Sequence, residues 1–213
     1  MVLDERSRQK KLARKTAKRK KAMAHKRRGI FGKGNLVAFA ASMPIHECLI
    51  PRVLYDRGIG NVVISRKMLN GDIAAAFFLV DTYCLGVKDC FFTVIPPGAY
   101  AQRIEQMVQK EGAEYAEPAC TVKLIENAVA YAEGLGFHAP KDYLTVKGIF
   151  GSVDPATCPQ EFEFGKDGKP RYISGPNETQ ADSERIIATL TRQFGPDGFH
   201  YMVRVDLEEE EEE

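Results

Sequence analysis

The sequence lacks the features that mark membrane-spanning and exported proteins. Its longest strongly apolar run covers only residues 73–80, which is too short to cross a bilayer. The amino terminus lacks the apolar core of a secretory signal. Its Lys-rich composition, with Asp4 and Glu5, is also atypical of an Arg- and Ser-rich transit peptide. These absences predict a soluble, cytoplasmic protein with no membrane partner.

Cysteine pairs at metal-binding spacing are also absent. The chain has five cysteines, an odd number, widely scattered and without a CxxC pair: Cys48, Cys84, Cys90, Cys120 and Cys158. This spacing argues against a disulfide framework and a zinc ribbon, and it favours buried thiols in a reducing compartment. His46 and Cys48 could share one face of a strand, but two donors do not complete a zinc site. We therefore expect no bound metal and no cofactor.

The net charge of +1 conceals a segregation of charge along the chain. Residues 1–28 contain 13 lysines and arginines against two acidic residues, a net charge of +11. Residues 29–207 contain 17 basic and 21 acidic residues, and residues 208–213 are six glutamates. Charge separated in this way indicates a charged partner for the basic segment.

The basic segment is predicted to be a flexible arm that binds nucleic acid. It has few apolar residues, and its like charges repel one another, so we expect it to be largely disordered when free and helical against phosphates. The residues predicted to contact phosphates are Lys10, Lys11, Arg14, Lys15, Lys18, Arg19, Lys20, Lys21, Lys26, Arg27 and Arg28. A solvated tail that serves only solubility or targeting remains the alternative.

RNA is the expected partner rather than DNA, because no helix-turn-helix, zinc-finger or heptad pattern accompanies the arm. No aromatic RNA-stacking motif is present either, so the folded part need not read bases. In composition, though not in motif, the arm resembles the basic extensions of ribosomal proteins. That resemblance implies an RNA-associated and ribosome-associated binding protein.

The rest of the chain is predicted to be a single α+β domain, an antiparallel sheet with helices packed on it. We place the arm and a glycine-rich hinge at residues 1–34, the domain at 35–207 and an acidic tail at 208–213. Residues 61–68, 72–81 and 87–95 predict three consecutive antiparallel strands, with Asn70-Gly71 as a hairpin turn. The second of these is apolar on both faces, which predicts a central strand covered twice.

Further elements are predicted before and after these strands in the sequence. Residues 47–54 predict a short strand interrupted by Pro51, residues 162–173 a hairpin around Asp167-Gly168, and residues 201–205 a last strand. Residues 143–150 fit a strand or a helix. Three helices are predicted from apolar faces: Tyr100, Ile104, Met107 and Val108; Val122, Ile125, Val129, Ala132 and Leu135; and Ile186, Ile187, Leu190 and Phe194.

The loop from Asp81 to Asp89 is the best candidate for catalysis. Asp81, Lys88 and Asp89 could supply an acid/base pair or hold a magnesium ion, acting on RNA or a nucleotide. The structural alternative is a turn in which Asp81 caps backbone amides and Lys88 pairs with Asp89. Lys166, Lys169 and Arg171 could hold a phosphate at the last helix, although ordinary capping by Asn177 or Thr179 is simpler. A protein–protein adaptor without catalysis is a further alternative.

Overall fold

The computed structural model describes residues 33–204. The predicted nucleic-acid-binding arm (residues 1–28), most of the predicted hinge, Val205 and the acidic tail (residues 208–213) lie outside these described residues. The elements in chain order are α1 (Lys33–Ala41), β1 (Ile45–Pro51), α2 (Val53–Arg57), β2 (Ile59–Lys67), β3 (Ile73–Asp81), β4 (Gly86–Ile95), α3 (Pro97–Glu111), β5 (Ala113–Tyr115), α4 (Pro118–Gly134), α5 (Tyr143–Val146), β6 (Arg171–Ile173), α6 (Gln180–Phe194) and β7 (His200–Met202). Short 3-10 turns cover Lys147–Phe150 and Pro155–Thr157.

The main sheet has five strands in the order β4-β3-β2-β1-β5, and every neighbouring pair is antiparallel. The α+β class and the three consecutive antiparallel strands are therefore confirmed. The turn between β2 and β3 forms at Asn70-Gly71, where the Asn70 side-chain oxygen accepts the Asp72 amide at 3.2 Å and Gly71 has φ 85°. β1 ends at Pro51, so the prediction that this strand continues to Leu54 was wrong, because Val53 and Leu54 begin α2.

Strand β3 is central and is covered on both faces. Ala74, Ala76 and Phe78 face one core, which α1, α4 and α5 close. Ile73, Ala75 and Phe77 face a second core against Tyr100, Ile104 and Met107 of α3. Burial on both sides explains why the sequence of β3 does not alternate between apolar and polar residues. It also makes the carboxyl end of β3 a rigid position in the fold.

The carboxyl-terminal part differs from the prediction. The turn at Asp167-Gly168 forms with positive φ at both residues, but only an isolated bridge joins Lys166 to Lys169. β6 instead pairs in parallel with β7 in a separate two-stranded sheet. The predicted hairpin over residues 162–173 was wrong because Phe162 and Phe164 pack against the main core rather than beside β6.

The helices mostly follow the predicted apolar faces. α3, α4 and α6 form where expected, and Thr179 caps α6 in a reciprocal capping box with Asp182. Residues 143–150 are helical. The prediction that Val108 and Phe194 lie in the core was wrong, because Val108 is 47% exposed and Phe194 is 40% exposed. Among residues 33–204, no helix is long and apolar enough to cross a bilayer.

A disulfide joins Cys120, near the start of α4, to Cys158, just after the second 3-10 turn. The expectation that all five cysteines are buried thiols was therefore wrong, although Cys48, Cys84 and Cys90 are free and buried. The two bonded cysteines are 38 residues apart in sequence, and only the fold brings their Cα atoms to 4.9 Å. Spacing rules for cysteine motifs do not detect a single long-range bridge of this kind.

Candidate functional site

The loop that follows β3 is organised by the buried carboxyl group of Asp81. One of its oxygens accepts the amides of Tyr83 at 2.9 Å and Cys84 at 3.0 Å. These bonds stabilise the tight connection into β4 and leave Asp81 only 5% exposed. The arrangement matches the structural alternative for this loop, a turn in which Asp81 caps backbone amides.

Lys88 occupies an irregular position in β4. Leu79 of β3 lies opposite Asp89, and Val80 lies opposite Val87, so Lys88 is an extra residue between the paired positions. A bulge of this kind re-aims the side chain of the inserted residue. Lys88 forms an ion pair with Glu178, so the expected pairing with Asp89 was wrong.

Glu178 is held by hydrogen bonds that orient it toward Lys88. Its Oε2 accepts the Tyr172 hydroxyl at 2.7 Å and the Gly175 amide at 3.0 Å. The Tyr172 hydroxyl also lies 2.8 Å from the Ser183 hydroxyl. Burial raises the pKa of Glu178, but hydrogen bonds from Lys88, Gly175 and Tyr172 outweigh it and lower the pKa overall. The carboxylate therefore stays ionised, and it fixes the ammonium group of Lys88.

These groups border a cleft of about 410 Å³ at the end of the central strand. Its walls come from the end of α2, the start of β2, the end of β3 with the loop that follows it, the bulge in β4, and β6 with the segment that follows it. The lining residues are Asp56, Arg57, Ile59, Asp81, Tyr83, Lys88, Arg171, Ile173, Ser174, Gly175 and Pro176. Asp81 and Lys88, two of the three predicted catalytic residues, thus meet at one cleft. The third, Asp89, is exposed and does not line it, and its side chain accepts the Cys90 amide at 2.8 Å.

Gly58 and Tyr83 shape one wall of this cleft. Gly58 has φ 75°, and a Cβ atom added there would lie 2.2 Å from the Tyr83 ring. The Tyr83 hydroxyl donates to the Asp56 carbonyl at 3.0 Å, and the Thr82 amide donates to the Gly58 carbonyl at 2.7 Å. These contacts tie the end of α2 to the Asp81 loop, so both sides of the cleft are fixed.

Burial makes Asp81 the titratable group best suited to acid/base chemistry in the cleft. Desolvation raises its pKa from 3.8 to about 6, although nearby Lys88 and the loop amides act in the opposite direction. A carboxyl group with a pKa near neutrality can exchange a proton under ordinary conditions. The same group also serves the turn, so its geometry is compatible with a structural role and with a chemical one.

The other residues proposed from sequence are dispersed. Arg171 lines the cleft, whereas the Lys166 ammonium lies 5.8 Å from the centre of the Tyr83 ring and Lys169 donates to the Asp197 carbonyl at 2.8 Å. His46 packs edge-on against Tyr100, and burial raises the pKa of Cys48 to about 12. Within residues 33–204 no three His, Cys, Asp or Glu side chains are grouped as a metal site.

Sequence reasoning missed the cleft residues that come from distant segments. Arg57 ends a five-residue helix, and Glu178 lies 90 residues after its partner Lys88. The one available signal was the run of polar and turn-forming residues from Ser174 to Glu178, which was interpreted only as the segment that precedes the last helix.

No protein-family model, no curated protein and no solved structure matches this chain.

Proposed function

We propose that this chain is an RNA-associated binding protein whose residues 1–28 contact the phosphates of RNA. The observation that supports this proposal is the location of the positive charge. Residues 33–204 contain 17 basic and 20 acidic residues, so the folded part has no cationic excess, whereas residues 1–28 carry a net charge of +11. Because the arm resembles the extensions of ribosomal proteins in composition, we propose more specifically that the RNA partner is ribosomal RNA.

Counterion release supplies the driving force for such binding. Each lysine or arginine that neutralises a phosphate releases condensed cations into solution, which favours binding at low salt and is independent of base sequence. In this proposal the arm provides affinity, and the α+β domain docks on a neighbouring surface.

A pull-down with and without ribonuclease tests the RNA proposal. The full chain should retain RNA, and the variant lacking residues 1–28 should not, while both give the same circular dichroism spectrum and urea midpoint. Equal RNA retention by both proteins would refute a role for the arm. Partners retained after ribonuclease treatment would favour the adaptor alternative.

A second candidate is an enzyme that acts on RNA or a nucleotide, with Asp81 as the acid/base group and the arm as a tether for substrate. The observation that favours it is the buried Asp81 carboxyl, with a pKa near 6, beside Lys88 in a cleft. Asp81→Asn should then abolish turnover while RNA retention by the arm persists. Asp89→Asn is the matched control, because Asp89 is outside the cleft lining.

A further inference from the structure

The cleft beside Asp81 contains two cationic side chains that no carboxylate of the described chain neutralises. Arg57 and Arg171 both line the cleft, and neither forms an ion pair with any residue from 33 to 204. Lys88, by contrast, is neutralised by Glu178. The two guanidinium groups reach the cleft from separate elements, the end of α2 and the start of β6. Guanidinium groups present a planar set of donors that matches the oxygens of phosphate.

Asp81 presents a different chemistry on the same cleft. A carboxylate offers about four acceptor positions, and the amides of Tyr83, Cys84 and Leu85 occupy three of them. Asp81 therefore retains about one acceptor position at the cleft wall, where it can accept one N–H group of a ligand. Carboxylates accept hydrogen bonds from the exocyclic amines of nucleobases.

Apolar surface separates these polar groups. Ile59, Tyr83, Ile173 and Pro176 contribute to the lining, and Ile173 is 37% exposed although it is a large apolar residue. The volume of about 410 Å³ falls within the usual range of about 300–1,000 Å³ for small-molecule pockets. The cleft thus combines cationic donors, an apolar wall and an anionic acceptor.

We propose that this cleft binds a ribonucleoside monophosphate or an equivalent terminal nucleotide, with its phosphate on Arg57 and Arg171 and one N–H group of its base on Asp81. Lys88 and Glu178 brace the wall, and the apolar residues contact the sugar and base. This ligand is of the class expected for the second candidate function. Binding requires neither catalysis at Asp81 nor RNA binding by the arm.

Isothermal titration calorimetry on the full chain tests this inference, using AMP, GMP, CMP and UMP as probes. Inorganic phosphate and the four nucleosides serve as partial ligands. Moderate salt suppresses contacts with the arm, and every variant retains the arm, so a change in affinity reports on the cleft. At least one monophosphate should bind, and more tightly than phosphate or its own nucleoside.

The variants assign the two ends of the ligand. Arg57→Gln and Arg171→Gln should each weaken binding of the monophosphate at least tenfold, whereas Arg192→Gln, which removes an exposed charge on α6, should not. Asp81→Asn should weaken the monophosphate without changing the affinity for inorganic phosphate. If Asp81→Asn fails to fold, the Arg57→Gln and Arg171→Gln variants still decide whether the monophosphate binds in the cleft, because Arg57 is exposed and Arg171 is half-buried. Absence of binding by all four monophosphates, or binding unchanged in both arginine variants, would overturn the inference. Phosphate binding as tight as the best monophosphate would overturn its nucleotide part.

Discussion

Breaking the Cys120–Cys158 disulfide should lower the free energy of unfolding by about 4 kcal/mol. The bridge closes a loop of 38 residues. The chain-entropy relation indicates that a loop of this length lowers the conformational entropy of the unfolded chain by about 13 cal/mol/K. This corresponds to about 4 kcal/mol of free energy at 25 °C. In the folded chain, Lys123 also holds this segment, through the Cys158 carbonyl at 3.3 Å and the Glu161 carboxylate at 2.6 Å. The reduced protein should therefore keep its fold.

Urea unfolding with and without a thiol reductant measures this loss. A change of about 4 kcal/mol alters the unfolding equilibrium by roughly a thousandfold, which is well above the error of the extrapolation. The variant with both Cys120 and Cys158 changed to alanine is the control, and its midpoint should not respond to the reductant. Thiol titration in denaturant should find three reactive cysteines before reduction and five after it, in agreement with the three free cysteines. An unchanged urea midpoint on reduction, or five thiols without reduction, would refute the reasoning.

Two further predictions concern buried polar groups. Burial raises the pKa of Asp81 from an ordinary 3.8 to about 6 in the folded protein. Ionisation of Asp81 should therefore lower the free energy of unfolding by about 3 kcal/mol as the pH rises from about 4 through 6. The Asp81→Asn variant keeps an acceptor oxygen and does not titrate, so in urea titrations it should gain stability relative to the wild type across that pH window. A difference in the free energy of unfolding that does not change with pH would contradict this. Arg66 donates to the carbonyls of Ile149 at 2.8 Å, Phe150 at 2.6 Å and Met43 at 2.6 Å. Arg66→Met leaves these three carbonyls without their donor, and it should lower the free energy of unfolding by at least about 3 kcal/mol; a loss below about 1 kcal/mol would show that water or a neighbour replaces the donor.

The main sheet could be predicted because its signals are local. β-branched residues and an Asn-Gly turn define the β2–β3 hairpin, and apolar residues on both faces of β3 identify it as central. The three longest helices were found from their apolar faces. α1 was missed because Gly34 and Asn35 at its start are typical of a hinge, and the five-residue α2 was missed because its start was assigned to a strand. Local patterns therefore located the secondary structure better than they located the ends of the elements.

The cleft could be predicted only in part, because most of its contacts join distant segments. The Asp81 loop was identified from the polar residues that follow a buried strand. Its partners belong to segments for which the sequence indicated no site: Arg57 follows a predicted strand, Arg171 lies in the predicted hairpin, and Glu178 precedes the last predicted helix. Tertiary packing also determines the parallel pairing of β6 with β7 and the Cys120–Cys158 bridge. The local spacing of residues in a single sequence does not reveal such contacts.

The salt dependence of RNA binding tests the central claim most directly. The affinity for a labelled single-stranded RNA is measured by fluorescence anisotropy between about 50 mM and 200 mM salt, and the slope of log affinity against log salt is compared among variants. Each phosphate contact on a single strand contributes about 0.7 to the slope. One variant replaces four residues of the arm by glutamine: Lys18, Arg19, Lys20 and Lys21. The control variant replaces four exposed charges of the folded part by glutamine: Lys67, Lys110, Lys141 and Arg192.

Both variants lose the same charge, so a difference between them reports on where the RNA lies. If the arm makes the phosphate contacts, its variant should reduce the slope by roughly 3, and the control variant should leave the slope unchanged. Equal slopes for the wild type and the arm variant, or the larger reduction in the control variant, would contradict RNA binding through residues 1–28.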